Sequence, residues 1–250
     1  MGNSKTYIVG NWKMHGSAAM AQQLVQAIIP AAENSARATV VVCPPATLLS
    51  NVAKQCDRSK VFVGAQDCHV EKSGAFTGDI SAEMLKEAGC KYVIVGHSER
   101  RAQHGETSEV VRKKAAMAMQ NGLIPIICIG ETESERAAGK AKEVVEKQLH
   151  ESIPSVPAGG YFLLAYEPVW AIGSGRAATV DDIRQMHAYI LAEVSRETFL
   201  GQEPVCVLYG GSVKAANARE ILTTPGVSGL LVGGASLKAD EFTGIIAAAM

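Results

Sequence analysis

The chain repeats one pattern eight times: a short apolar run, a polar turn, and then a segment with the punctuation of a helix. The runs are rich in β-branched and aromatic residues and lack polar alternation, which is typical of strands buried on both faces. They cover residues 7–9, 39–43, 61–65, 92–95, 124–129, 161–165, 205–208 and 229–232. This alternation predicts an α/β protein built on a parallel sheet.

The segments between the runs begin and end with residues that cap helices. One opens on Ser81 and closes on Gly89, and another opens on Thr179 with Asp182 three positions later. Eight strand-then-helix units in 250 residues match the size and period of a (β/α)8 barrel. A doubly wound sheet is the alternative fold, because it shares the alternation. No proline-rich or serine-rich linker divides the sequence, so we expect a single domain over residues 1–250.

Charge and cysteine usage exclude several classes of function. The chain has 24 Lys and Arg against 25 Asp and Glu, which argues against nucleic-acid binding. The densest basic run lies among glutamates and predicts a solvated helix face; it consists of Arg100, Arg101, Arg112, Lys113 and Lys114. Six cysteines stand singly, without short spacing to the six histidines. We therefore expect reduced core cysteines, no metal site and a cytoplasmic protein.

No segment of the sequence has the character of a membrane or export signal. Residues 1–6 contain neither a basic flank with an apolar core nor a small-residue cleavage site, so no signal peptide is predicted. The longest apolar stretches, such as 123–129, are far short of the roughly 20 residues that span a bilayer. We expect a soluble chain without a membrane partner.

In a barrel the chemistry lies where strands run into the following loops, so residues after each run are the candidates. Glu167 follows the sixth run and precedes Pro168, which favours an extended backbone. It suits a general base, and a strand-end ion pair is the alternative. His97 follows the fourth run and precedes an expected helix N-terminus, whose positive end disfavours imidazolium. A neutral, hydrogen-bond-donating His97 is predicted, and a structural histidine is the alternative.

Lys13 lies two residues after Asn11 at the end of the first run. In an extended segment both side chains would point the same way, so a cation and an amide donor would converge. Lys13 could then help to bind a developing oxyanion, form a Schiff base, or form only a surface ion pair. The residue pattern alone leaves these three roles open.

Glycine-rich turns follow the seventh and eighth runs. Backbone amides in such turns approach an anion closely, and this part of a barrel often holds phosphate. The candidates are Ser212, Gly233 and Gly234, with residues 235–238 as an extra helix N-terminus. Tight-turn geometry is the alternative explanation for either turn.

The segment after Glu167 has a proline and an aromatic residue near one end and two glycines near its tip. This composition suits a lid that closes over a site, and a static glycine turn is the alternative. The segment consists of Pro168, Val169, Trp170, Ala171, Ile172, Gly173, Ser174, Gly175, Arg176, Ala177 and Ala178.

With these residues assembled, the chain resembles the triosephosphate isomerase family over essentially its whole length. The most specific motifs are AYEPVWAIG at residues 165–173 and VGHSERR at residues 95–101. The resemblance implies a TIM barrel that interconverts dihydroxyacetone phosphate and D-glyceraldehyde 3-phosphate through an enediolate, without a cofactor. It implies that Glu167 is the base, while His97, Lys13 and Asn11 stabilise charge on the substrate oxygens.

The same resemblance implies further roles and a homodimer. The phosphate contacts that it implies are Gly173, Ser212, Gly233 and Gly234. The supporting residues that it implies are Glu99, Ser98 and Tyr209. Glu99 would organise Lys13 and a loop of the partner chain. A loop carrying Phe76 and Thr77 would insert into the neighbouring subunit, with Thr77 near the partner's Asn11 and the partner's Glu99.

Two other functional hypotheses remain at this stage. Another phosphate-binding barrel enzyme, such as an aldolase or epimerase, would share the glycine turns, and borohydride would trap a substrate adduct on Lys13. A non-catalytic barrel scaffold is the second, but it would have no need for Glu167, His97 and Lys13 together.

Overall fold

Eight parallel strands form a closed barrel in chain order in the computed structural model, which describes residues 5–156, 160–172, 178–196 and 205–249. The strands are β1 (Thr6–Asn11), β2 (Ala38–Cys43), β3 (Val61–Ala65), β4 (Tyr92–Val95), β5 (Ile124–Ile129), β6 (Leu163–Tyr166), β7 (Cys206–Tyr209) and β8 (Gly229–Val232). Because β1 pairs with both β2 and β8, the ring has no edge. The predicted (β/α)8 barrel is confirmed, and the doubly wound alternative is wrong.

Helices connect the strands and cover the outside of the barrel. Within the described residues they are α1 (Ala18–Asn34), α2 (Leu49–Cys56), α3 (Ala82–Glu87), α4 (Ser98–His104), α5 (Ser108–Gln120), α6 (Glu133–Ala137), α7 (Ala141–Ser152), α8 (Val180–Arg196), α9 (Ala215–Leu222) and α10 (Ala239–Ala248). Two predicted caps are confirmed, since Ser81 Oγ accepts from Met84 N and Thr179 Oγ1 accepts from Asp182 N. No helix of this part of the chain is both long and apolar enough to cross a membrane.

Each strand buries both faces, which explains the missing polar alternation. On β1, Ile8 packs in the layer between strands and helices, whereas Val9 packs inside the barrel. On β2, Val40 and Val41 divide in the same way. Ring closure also needs a glycine, because a Cβ on Gly229 would lie 2.1 Å from the carbonyl oxygen of β1 residue Tyr7.

The basic run is a solvated face only in part, because Arg112 and Lys113 are exposed but the other three residues are not. Lys114 is only 6% exposed, and its Nζ donates to both carboxylate oxygens of Asp67 at 2.7 and 2.8 Å and to Glu106 Oε1 at 2.6 Å. Arg100 bonds the same two carboxylates, and Arg101 donates to the carbonyl of Gly96. For Lys114 and Arg100 the prediction is wrong, because Asp67, a partner distant in sequence, gives these cations an acceptor.

All six cysteines are free thiols, and all but Cys206 are buried. Burial raises the pKa of Cys56 to about 11 and that of Cys90 to about 12. A thiol with such a pKa stays protonated near neutrality and is a poor nucleophile. These residues therefore serve as small apolar side chains of the core.

His187 on α8 is a buried titratable group outside the barrel. Its Nδ1 lies 3.1 Å from the carbonyl oxygen of Gly226, and its Nε2 has no hydrogen-bond partner within the described residues. Burial lowers the pKa of His187 to about 4, against a small opposing effect of the Gly226 carbonyl. Between about pH 4 and pH 6.5, His187 is therefore neutral in the folded chain but protonated in the unfolded chain.

This difference predicts a pH-dependent stability. As the pH falls from about 6.5 to about 4, the unfolded state gains a proton first, so the free energy of unfolding should fall by ~3 kcal/mol, at about 1.4 kcal/mol per pH unit. The variant His187→Asn keeps a donor for Gly226 and should lose this component. Urea unfolding of both proteins at several pH values measures the difference, and parallel pH profiles would contradict the prediction.

Candidate active site

The carboxyl ends of the strands surround a cavity of about 400 Å³. It contains most of the site residues that the sequence predicts, namely Asn11, Lys13, His97, Glu167, Ser212, Gly233 and Gly234. Apolar side chains of Ile172 and Leu231 complete part of the wall. Because these residues come from β1, β4, β6, β7 and β8 or the loops that follow, only the closed barrel brings them together.

Glu167 follows β6 directly and is 2% exposed. Its backbone N–H donates to the carbonyl of Ile129 at 2.8 Å, which extends the β5 pairing by one residue and fixes the direction of the side chain. One carboxylate oxygen lies 2.9 Å from His97 Nε2, and the other accepts from the backbone N–H of Ser98 at 3.1 Å. The carboxylate is therefore buried, hydrogen-bonded and next to the cavity.

Burial opposes ionisation of Glu167, but His97 and the Ser98 amide outweigh it and lower the pKa of this carboxyl. Burial also opposes the charged form of His97 and by itself lowers its pKa. The neighbouring Glu167 carboxylate outweighs burial and raises that pKa. The lowered pKa of Glu167 favours an ionised carboxylate near neutrality. A carboxylate kept in its basic form can accept a proton without first losing one.

The hydrogen bonds of His97 determine where its proton lies. His97 precedes α4, and its Nδ1 accepts the backbone N–H of Glu99 at 3.3 Å. An Nδ1 that accepts this N–H carries no proton, so the contact favours a neutral ring with its proton on Nε2, facing Glu167. Although the carboxylate raises the pKa of His97, the helix N–H argues for the neutral ring that the sequence predicts.

Lys13 lines the cavity, but its backbone conformation differs from the extended one that the sequence predicts. β1 ends at Asn11, and Lys13 has a φ of 52°, a left-handed backbone rather than an extended one. The Oδ1 of Asn11 accepts the backbone N–H of Lys13 at 3.0 Å, and Lys13 Nζ lies 2.5 Å from Glu99 Oε1. Side-chain alternation is thus the wrong reason for their convergence, whereas the predicted contact between Glu99 and Lys13 is present.

Glycines at the end of β7 leave room for the carboxylate and the barrel wall. A Cβ on Gly210 would lie 2.8 Å from Glu167 Cγ, and a Cβ on Gly211 would lie 2.1 Å from the Tyr209 hydroxyl oxygen. After β8, Gly234 opens the 3-10 turn Gly234–Leu237, close to the helix start that the sequence predicts. Glycines of both turns line the cavity, namely Gly210, Gly211, Gly233 and Gly234.

The first part of the predicted lid is a 3-10 turn, Val169–Ala171, packed against the end of β5. Trp170 Nε1 donates to Glu131 Oε1 at 2.9 Å, and the guanidinium of Arg136 lies 4.5 Å from the indole ring. Ser212 Oγ donates to the carbonyl of Ala171 at 2.7 Å. Five of the other lid positions lie outside the described residues, namely Gly173, Ser174, Gly175, Arg176 and Ala177.

Some predicted site residues do not line the cavity. Tyr209 is fully buried behind Gly211, and Ser98 contributes its backbone amide from behind Glu167. Phe76 and Thr77 lie on the loop between β3 and α3, where the Phe76 ring is 42% exposed and 4.2 Å from the ring of His69. The monomer alone gives these two residues no contact with the cavity.

Sequence reasoning missed several residues that support the site. Gln66 follows β3 directly and bonds the carbonyl of Lys13, while Glu131 follows β5 and holds Trp170. The strand-end rule finds both when it is applied to those two strands. Lys214 and Lys238 line the cavity near the glycine turns, but each comes several residues after its strand.

The groups around this cavity are of the kind that suits proton transfer beside a developing negative charge. The Glu167 carboxylate, the His97 imidazole and the Lys13 side chain line one space, together with glycines of the turns after β7 and β8. Within the described residues, the His and carboxylate group that approaches metal-ligand spacing, Glu146 with His150 and Glu193, lies on α7 and α8 and does not line this cavity.

Comparisons with known proteins agree with the fold and the site. The triosephosphate isomerase family model matches residues 6–249. Triosephosphate isomerase of Granulibacter bethesdensis is 52% identical over 240 residues, covering 95% of this chain and 96% of that protein. That of Caulobacter vibrioides is 52% identical over 244 residues, covering 96% and 95%.

Among solved structures, triosephosphate isomerase from Bartonella henselae superimposes with a TM-score of 0.89 at 40% identity and covers 98% of both chains. The similarity therefore extends over the whole barrel and includes every strand that contributes to the cavity. The chain belongs to the triosephosphate isomerase family.

Proposed function

We propose that this chain interconverts dihydroxyacetone phosphate and D-glyceraldehyde 3-phosphate in the barrel cavity, with Glu167 as the base. The observation that carries the proposal is the 2.9 Å contact between the Glu167 carboxylate and His97 Nε2 in a cavity that Lys13 also lines. A base beside a hydrogen-bond donor and a cation suits proton abstraction next to a carbonyl group. Family membership gives the substrate class.

In the proposed reaction, Glu167 removes a proton from the carbon next to the substrate carbonyl. The electron pair moves onto the carbonyl oxygen, which receives hydrogen bonds from His97 Nε2–H and the amide of Asn11, with Lys13 supplying positive charge. The hydroxyl proton on that first carbon passes through His97 Nε2 to the former carbonyl oxygen, and Glu167, now protonated, returns its proton to the former carbonyl carbon. A carbonyl group thereby forms on the first carbon, so the sum is an isomerisation without a cofactor. Losing one such donor typically costs about 3 to 4 kcal/mol in the transition state.

The phosphate group is proposed to bind at the end of the cavity formed by the turns after β7 and β8. Gly233 and Gly234 offer backbone amides, and Ser212 lies beside them on the cavity wall. Gly173 belongs to the same proposed set. Lys214 and Lys238 on the rim add positive charge of the sign that a phosphate dianion needs.

We further propose a single-domain cytoplasmic protein that works as a homodimer. Phe76 and Met14 are large apolar side chains at 42% and 94% exposure. A loop of this kind on a compact domain is usually functional, and two equivalent loops exchanged about a two-fold axis would cover both patches. Thr77 would then approach the partner's Asn11 and the partner's Glu99.

An assay of the purified protein tests the activity directly. Dihydroxyacetone phosphate is supplied in the presence of a chelator and without nucleotide, and D-glyceraldehyde 3-phosphate is measured. Conversion is expected, and its absence would contradict the proposal. Borohydride treatment during turnover should leave Lys13 unmodified, whereas a trapped substrate adduct would favour Schiff-base chemistry of the aldolase type.

Gly210→Ala is expected to lower turnover more than stability. The added Cβ would lie 2.8 Å from Glu167 Cγ, so the carboxylate must move away from its place beside His97. A displacement of this size at a reacting group can cost about 10²-fold in rate. Turnover and thermal unfolding of the variant are compared with those of the wild type. Equal turnover in the Gly210 variant and the wild type would refute the steric argument.

A further inference from the structure

The backbone of Lys13 adopts a conformation that a lysine does not favour. Its φ of 52° is in the left-handed region, where a Cβ crowds the backbone. Such a conformation persists only when the surrounding contacts determine it. The contacts that hold Lys13 therefore control where its ammonium group lies in the cavity.

Two of these contacts come from residues already placed in the site. Asn11 Oδ1 holds the backbone N–H of Lys13 at 3.0 Å, and Glu99 holds its Nζ. Neither of them touches the carbonyl group of Lys13. A third contact is needed to fix the peptide plane that follows the residue.

That third contact comes from Gln66, the first residue after β3. Its Nε2 donates to the carbonyl oxygen of Lys13 at 2.8 Å and to the carbonyl oxygen of Cys43 at 2.9 Å. Cys43 ends β2, and its carbonyl also accepts the N–H of Trp12 at 3.1 Å. One amide group thus ties the turn that carries Lys13 to the end of the neighbouring strand.

We infer that Gln66 is a positioning residue for Lys13, which it holds through the backbone carbonyl. Gln66 does not line the cavity, so it acts on the substrate only through Lys13. The inference rests on the proposed function, because that function gives Lys13 its role in binding the substrate anion.

The chemistry of the side chain explains why an amide suits this place. A primary amide carries two N–H groups, one for each carbonyl oxygen. A methionine of similar length would leave both carbonyl groups without this donor, and an asparagine is one carbon too short to reach both. The half-buried position of Gln66 limits replacement of these bonds by water.

The test is a double-mutant cycle between Gln66→Met and Lys13→Met, with inorganic phosphate as the probe. The inhibition constant or calorimetric Kd of phosphate is measured for the four proteins, and kcat and KM where turnover is detectable. Gln66→Met alone should weaken phosphate binding about tenfold and raise KM more than it lowers kcat. In the Lys13→Met background the same change should have no further effect on phosphate binding.

Controls separate positioning from loss of stability. Asn121→Leu removes a comparable bond from a side-chain amide to a carbonyl group at the end of α5, outside the cavity, and should leave phosphate binding unchanged. If Gln66→Met does not fold, Gln66→Asn takes its place in the cycle with the same expected outcome. Sedimentation of each variant checks that assembly is unaltered.

The possible outcomes decide between the two proposals. Equal losses of phosphate affinity from the Gln66 change in both backgrounds would overturn the positioning role, and so would wild-type affinity in the Gln66 variants. If the four proteins show the expected coupling but the wild type has no isomerase activity, the proposed function is overturned and the positioning role of Gln66 remains.

Discussion

Glu167→Gln is expected to reduce kcat by about 10² to 10⁴-fold with little change in KM. The amide has nearly the same volume and can still accept the N–H of Ser98, so the fold and the cavity should persist. It cannot take a proton from carbon, because the amide nitrogen already carries its hydrogens and the amide oxygen is a very weak base. Steady-state kinetics in both directions of the isomerisation measure the loss.

A second buried carboxylate provides the control for this change. Glu193 on α8 is 7% exposed and pairs with Arg196, but it does not line the cavity. Glu193→Gln should therefore alter stability without a comparable change in kcat. If Glu167→Gln retains more than about a tenth of wild-type turnover, Glu167 is not the general base.

Changing both Phe76 and Thr77 to charged residues should give a folded monomer that is nearly inactive. The exposed Phe76 ring would be replaced by a charge that an apolar interface cannot accommodate without a partner. Each site would lose the proposed bracing by Thr77 of the partner subunit, and small displacements of catalytic groups can cost about 10²-fold in rate. Sedimentation, circular dichroism and an activity assay at micromolar protein concentration measure the three properties together.

Ala188 offers a surface position for this experiment that is distant from the loop. It is exposed on α8, which follows β6, three strands along the ring from β3, so Ala188→Lys should leave both assembly and activity unchanged. A loop variant that is monomeric yet fully active would contradict the bracing role. So would a wild-type protein that sediments as a monomer at the same concentration.

The sequence predicts the strands well because burial on both faces leaves a strong apolar signal. Six of the predicted runs match or lie within observed strands, while β6 and β7 begin slightly later, at Leu163 and Cys206. Apolar residues such as Phe162 prolong the sequence signal although they precede the first paired residue. Apolar character reports burial, whereas the strand boundary depends on pairing with the neighbouring strand.

The site was predictable wherever a residue's place along one strand sets its direction. Glu167 and His97 satisfy this condition, because each comes directly after a strand end or before a helix. Lys13 does not, since its left-handed backbone depends on Gln66, whose own partners belong to two other strand ends. Contacts between residues far apart in sequence have no local pattern, so single-sequence reasoning cannot find them.

The pairing of β1 with β8 has a consequence for biosynthesis. Tyr7 pairs with Gly229, which is 222 positions later (229 minus 7), so the first strand stays without its second neighbour until the last strand leaves the ribosome. At roughly 5 to 20 residues per second, that interval is about 10 to 45 s. During it, the nascent chain presents the unpaired edge of β1, which is a template for association with other chains. A polypeptide truncated before residue 229 would keep that edge permanently, so we expect it to be a substrate for chaperones and proteases rather than a partly active enzyme.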